Sequence, residues 1–111
     1  MKYIVVDGMF SGTGIRDEVN GGYLEPDEIG LSVELTFRLT NWLAKYEAEH
    51  YSGFKNESRV LELDQEGKEI AIAICQEIPD VKIAYYSDAQ STKEELMTSS
   101  NNSSLFWFRI N

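Results

Sequence analysis

Two short β-prone runs separated by two long helix-patterned stretches constrain this chain more than any other feature. The first run, residues 2–7, is rich in β-branched and aromatic residues and stops at Gly8. Its centre, Tyr3-Ile4-Val5-Val6, is nearly continuous apolar, the pattern of a strand covered on both faces. The second run, 81–86, has the same character and ends at Ser87-Asp88. Between them, Leu35, Leu39, Trp42, Leu43 and Tyr46 recur at helical spacing, and Phe37 and Ala44 are expected to widen that stripe. Ser32 is a suitable N-cap, Glu34 suits the positive end of the helix dipole, and Gly53 closes the segment. The spacing predicts a helix over about 32–51.

A second stripe, Val60, Leu63, Gly67, Ile70, Ala71, Ile74 and Ile78, predicts a helix over about 58–78 with Pro79 as its stop. Residues 70–74 also alternate like a strand, and 58–63 is left open between helix and strand. The order strand, helix, helix, strand implies an α/β (α+β) fold, a small parallel pair with both helices packed on it. Residues 8–30 carry Gly12, Gly14, Asn20-Gly21-Gly22 and Pro26 without a sustained period. They read as an irregular Gly/Asp-rich excursion with one hairpin near Asn20-Gly21. After Ala89 the composition turns to Ser, Thr and Asn. The expected organisation is one acidic domain over 1–89, then a polar linker over 90–104 and an apolar end, Leu105-Phe106-Trp107-Phe108-Arg109-Ile110, expected to dock as an added strand.

Charge narrows the function. The chain has 19 acidic and 10 basic residues, a net charge of −9. Residues 1–89 hold 17 of the acids and 8 of the bases, so the whole excess lies there. Such a surface disfavours nucleic acid and anionic membranes, which need cationic side chains to replace counterions. It favours a basic protein partner. No run approaches the length of a membrane span and no secretory leader is apparent, so the expected compartment is the cytoplasm. One cysteine and one histidine exclude an internal disulfide, a cysteine zinc site and paired-histidine metal motifs. No cofactor is expected.

The segment Gly8-Met9-Phe10-Ser11-Gly12-Thr13-Gly14 follows a strand but lacks the lysine and hydroxyl of a phosphate loop, and Asp17 stands where a dinucleotide fingerprint needs its third glycine. It reads as a structural loop. His50 reads as a helix-terminal histidine and Cys75 as a small core or boundary residue. No catalytic set is complete, which argues against an enzyme. The carboxylates cluster at Asp17-Glu18, at Glu25, Asp27 and Glu28, and at Glu62, Asp64 and Glu66. The first two clusters, Asp17, Glu18, Glu25, Asp27 and Glu28, are the expected partner-binding groups. Tyr23 is the expected anchor, because a ring after the Gly21-Gly22 turn can project.

With those residues in place the body resembles a family of small acidic bacterial immunity proteins of polymorphic toxin systems, including contact-dependent growth inhibition. The resemblance rests on the opening strand, the Gly/Asp-rich excursion, Gly30-Leu31-Ser32 leading into a helix with Arg38-Leu39, Trp42 and Tyr46-Glu47, and then Glu66-Gly67-Lys68-Glu69-Ile70-Ala71. It closes on residues 78–86, Ile-Pro-Asp-Val-Lys-Ile-Ala-Tyr-Tyr. It covers residues 1–89, and the tail departs from it. It implies a cytoplasmic protein that neutralises a cognate toxin's C-terminal domain, a basic nuclease, by stoichiometric binding. The alternatives are a small-ligand or enzymatic domain using the loop over 8–14, and an adaptor whose C-terminal strand joins a partner's sheet.

Overall fold

The computed structural model describes residues 1–98 and 104–110. Its elements are β1 (Lys2–Asp7), β2 (Ile15–Asp17), a 3-10 turn (Pro26–Ile29), α1 (Val33–Ser52), α2 (Glu57–Glu77), β3 (Val81–Ser87), β4 (Thr92–Thr98) and β5 (Leu105–Arg109). One mixed sheet runs β2-β1-β3-β4-β5, with β1 and β3 parallel and the other pairs antiparallel. The fold is α+β, as the order of the apolar runs implies.

Both helices begin where side chains can take up otherwise unpaired amides. The Ser32 hydroxyl accepts the Leu35 amide at 3.2 Å, and the Asn56 carbonyl accepts the Arg59 amide at 3.1 Å. Gly53 closes α1 in the left-handed conformation. Residues 58–63, left open by the sequence, belong to α2. The buried stripe of α1 is Leu35, Leu39, Trp42 and Tyr46; Phe37 and Ala44 do not widen it, since both are exposed.

These side chains pack with Ile70, Ala71 and Ile74 of α2 against Ile4, Val6, Ile83 and Tyr85, which share one face of the sheet. The opposite face is not covered by a second helical layer, contrary to the reading of 3–6 as a strand sandwiched on both sides. Val5 and Ala84 are nevertheless fully buried. Long side chains of that face screen them. Lys82 and Lys93 lie over the Tyr3 ring and Arg16 over Tyr86, while Lys82 pairs with Glu95 and Lys93 with Glu18.

The largest departure concerns 90–104. Thr92–Thr98, expected within a polar linker, is a full strand paired with β3 from Ala84↔Glu95 to Ser87↔Thr92. Its residues alternate poorly in hydropathy, but a central strand such as β3 must satisfy backbone groups on both edges. The 99–103 part of the expected linker lies outside the described residues. Leu105–Arg109 does add a strand, and its Trp107 packs on the core. The excursion over 8–30 is also more ordered than expected, holding β2 and the 3-10 turn.

Candidate partner-binding site

The six residues singled out from sequence fall into three settings. Asp17 staples the turn after β2: its carboxylate accepts the Val19 and Asn20 amides, each at 3.0 Å, and the Asn20 side chain at 3.2 Å. The hydrogen bonds from Asn20 hold this carboxyl below the usual range. Glu18 is exposed and pairs with Lys93 of β4 at 3.2 Å.

Tyr23 does not project. It bridges to Arg16 along the outer side of β2, its ring lies against Gly12, and its hydroxyl donates to Asp7 Oδ1 at 2.9 Å. Burial and the neighbouring Asp7 charge push the phenol well above its ordinary pKa. The expectation of a protruding anchor fails because Asp7, buried at the end of β1, needs this donor.

Glu25, Asp27 and Glu28 stand exposed on the 3-10 turn, where Glu28 accepts the Glu25 amide at 2.7 Å. Here the structure adds what the sequence reading missed. A cleft of about 510 Å³ separates this turn from the first half of α1, lined by Glu25, Asp27, Leu31, Val33, Thr36 and Phe37 among others. Phe37 is 67% exposed and Val33 86%. A helix turns about 100° per residue, so Phe37 lies about 200° round from both Leu35 and Leu39. It belongs with Val33 and Thr40 on the opposite face, and counting that angle would have found it. An exposed aromatic beside exposed carboxylates is the arrangement of an interface, an apolar anchor with a charged rim.

The other polar clusters face inward. Asp64 of α2 accepts hydroxyl protons from Tyr46 at 3.0 Å, Tyr85 at 2.6 Å and Ser87 at 2.7 Å. Tyr46 in turn accepts the Ala89 amide, and Ser87 that of Gln90. One carboxylate thus ties α1, α2, β3 and the following turn. Burial first, then the Asp64 charge, raises the Tyr85 phenol far above its usual range.

A second cluster closes the carboxyl ends of the parallel pair. Asp7 is fully buried beside Arg16 (3.5 Å), and Asp88 faces His50 at 3.7 Å. His50 also contacts the Gly8 carbonyl at 3.0 Å and stacks edge-on with Phe54 and Phe10. It is therefore more than a helix-terminal residue, since it ties α1 to the loop after β1. That loop is packed by the protein's own side chains. A Cβ placed on Gly8 would lie 2.6 Å from the Tyr46 ring, and one on Gly12 2.8 Å from Tyr23. The close approach its glycines permit is internal, which supports a structural role.

Among the described residues no group of three or more His, Cys, Asp or Glu side chains is arranged to hold a metal ion, and no helix is long and apolar enough to cross a membrane. No protein-family model, curated protein or solved structure matches the chain.

Proposed function

We propose that this chain is a stoichiometric inhibitor of a basic protein, of the immunity type, acting in the cytoplasm on a cognate toxin domain with nuclease activity. The observation that carries the reading is the cleft between the 3-10 turn and α1, where Glu25 and Asp27 adjoin exposed Phe37 and Val33. A cationic partner is drawn by the acids and held by burial of the ring. The placement of charge supports the same polarity. Lys45, Lys68, Lys82, Lys93 and Arg16 are each paired with a carboxylate inside the fold. Glu25, Asp27 and Glu28 have no such partner among the described residues, so their field is directed outward.

The test is binding kinetics with the toxin domain encoded beside this chain. A Glu25→Lys, Asp27→Lys, Glu28→Lys triple variant should slow association about tenfold or more and flatten its salt dependence. Phe37→Ala should chiefly speed dissociation, by about tenfold or more. Both sites are exposed, so the folded state should survive either change. Absence of a 1:1 complex, or rates unchanged in both variants, overturns the reading.

A further inference from the structure

The sheet has two edges, and they are finished differently. Along β2 the returning chain covers the edge. Asp17 donates its amide to the Gly22 carbonyl, Leu24 donates to Ile15, and Tyr23 bridges Arg16. Along β5 nothing among the described residues pairs with the outer row. Ile110 donates its amide to the Lys93 carbonyl at 3.0 Å. In an antiparallel ladder that parity turns the backbone groups of 106, 108 and 110 toward β4, and those of Leu105, Trp107 and Arg109 outward. Protected edges in proteins are short, charged, bulged or interrupted by proline. This one reads Leu-Phe-Trp-Phe-Arg and has none of those features.

The side chains beside this edge are apolar too. Phe106 is 46% exposed, Phe108 55%, Ile110 43% and Met97 of β4 41%. The region is also electrically quiet. Its charges, Lys93, Glu94, Glu95 and Arg109, sum to zero, and the first three are engaged with Glu18, Lys68 and Lys82. The rest of the molecule carries the −9. Two copies repel each other over that surface and meet without repulsion only where charge is absent.

We propose that the occupant of this edge is a second copy of the chain, joined β5 to β5 in antiparallel register about a two-fold axis at Trp107. An isologous contact of this kind is self-complementary. Trp107 of each copy exchanges both backbone hydrogen bonds with its counterpart, and Leu105 stands opposite the partner's Arg109. On the open face Phe106 of one copy meets the partner's Phe108, a cross-strand aromatic pair repeated by symmetry. The two sheets join into one of ten strands. With five residues a side plus these rings, the contact falls near the small end of specific interfaces, roughly 1,000–1,200 Å² in total, which fits a reversible dimer. The proposal is independent of the toxin reading, because the acidic cleft and this edge are built from different elements.

Sedimentation velocity of the full chain from about 5 to about 500 μM, a range bracketing micromolar affinity, should show a monomer giving way to a dimer. Residue-resolved amide exchange over the same range should show protection of Leu105, Trp107 and Arg109 that rises with concentration. The amides of Phe106, Phe108 and Ile110, already bonded to β4, should be protected throughout. Phe108→Lys should remain monomeric at the top of the range while keeping the circular dichroism spectrum and Tm of the parent. A chain that stays monomeric at the highest concentration overturns the proposal, including one whose edge takes up the strand of a different protein. So does a dimer in which the three outward amides gain no protection.

Discussion

Asp88 combines a buried side chain with no hydrogen-bond donor within reach, and that makes it the residue most exposed to pH. Its side chain is only 6% accessible, neither oxygen has a hydrogen-bond partner among the described residues, and His50 stands 3.7 Å away. Burial, helped by the Asp7 charge, pushes its carboxyl up to about 6, against 3.8 for an unperturbed aspartate. Between those values the folded protein holds more protons than the unfolded chain, so stability falls as pH rises through this window and stays lower above it. Asp88→Asn should therefore be more stable than the parent by about 1–2 kcal/mol near neutral pH. The two should converge as the pH approaches about 4, where the parent carboxyl is itself protonated. Urea unfolding at the two pH values checks this. A gap of equal size at both would place the destabilisation in something other than charge. Sequence legibility at this scale was uneven for a physical reason. Asp64 lies between Val60 and Gly67 on the buried stripe of α2, so its inward position was readable from spacing. The three hydroxyls that stabilise it come from 18 to 23 residues away, and no local pattern joins them.

The helices were readable because their information is local. Period, cap and stop all lie within the element, and the observed bounds differ from the expected ones by a residue at most positions. Ser32 carries two of those functions at once. Its hydroxyl caps α1, while its own amide donates to Glu77 at the far end of α2 with a distance of 2.6 Å. Ser32→Ala removes only the first and should cost about 1 kcal/mol in denaturant unfolding. Ser32→Asp, which can still accept the Leu35 amide, should recover most of that loss. If alanine were neutral, the start of α1 would be held by packing and the Glu77 contact alone. The fourth strand was not readable because its cause is elsewhere. Thr92-Lys93-Glu94-Glu95-Leu96-Met97-Thr98 has neither apolar alternation nor strong β propensity at its centre. It is a strand because β3 presents an unpaired edge and because Lys68 and Lys82 are placed to meet Glu94 and Glu95.

For the molecule as a whole, the same dependence decides which residues constitute the folding unit. Removing residues 90–111 leaves every residue of the two helices and the parallel pair, which is why the first eighty-nine positions look sufficient in sequence. In the structure those positions lose the neighbour of β3 across four registered pairs. They also lose Leu96 and Trp107 from the margin of the core. Replacing burial of two large apolar side chains by exposure costs about 1.5–3 kcal/mol each. Opening a central strand to water adds to that, against a total stability of about 5–15 kcal/mol for a domain. Lys68 and Lys82 are also left without Glu94 and Glu95, and Glu18 without Lys93. The 1–89 fragment should consequently lack a cooperative unfolding transition or show one shifted far down in temperature. Its Ile83 and Tyr85 strand should drive aggregation at concentrations where the full chain is dispersed. Differential scanning calorimetry with light scattering checks both. A fragment that melts cooperatively within a few degrees of the full chain would mean that β4 and β5 are an appendage, carried for contact with another molecule and not for the stability of this one.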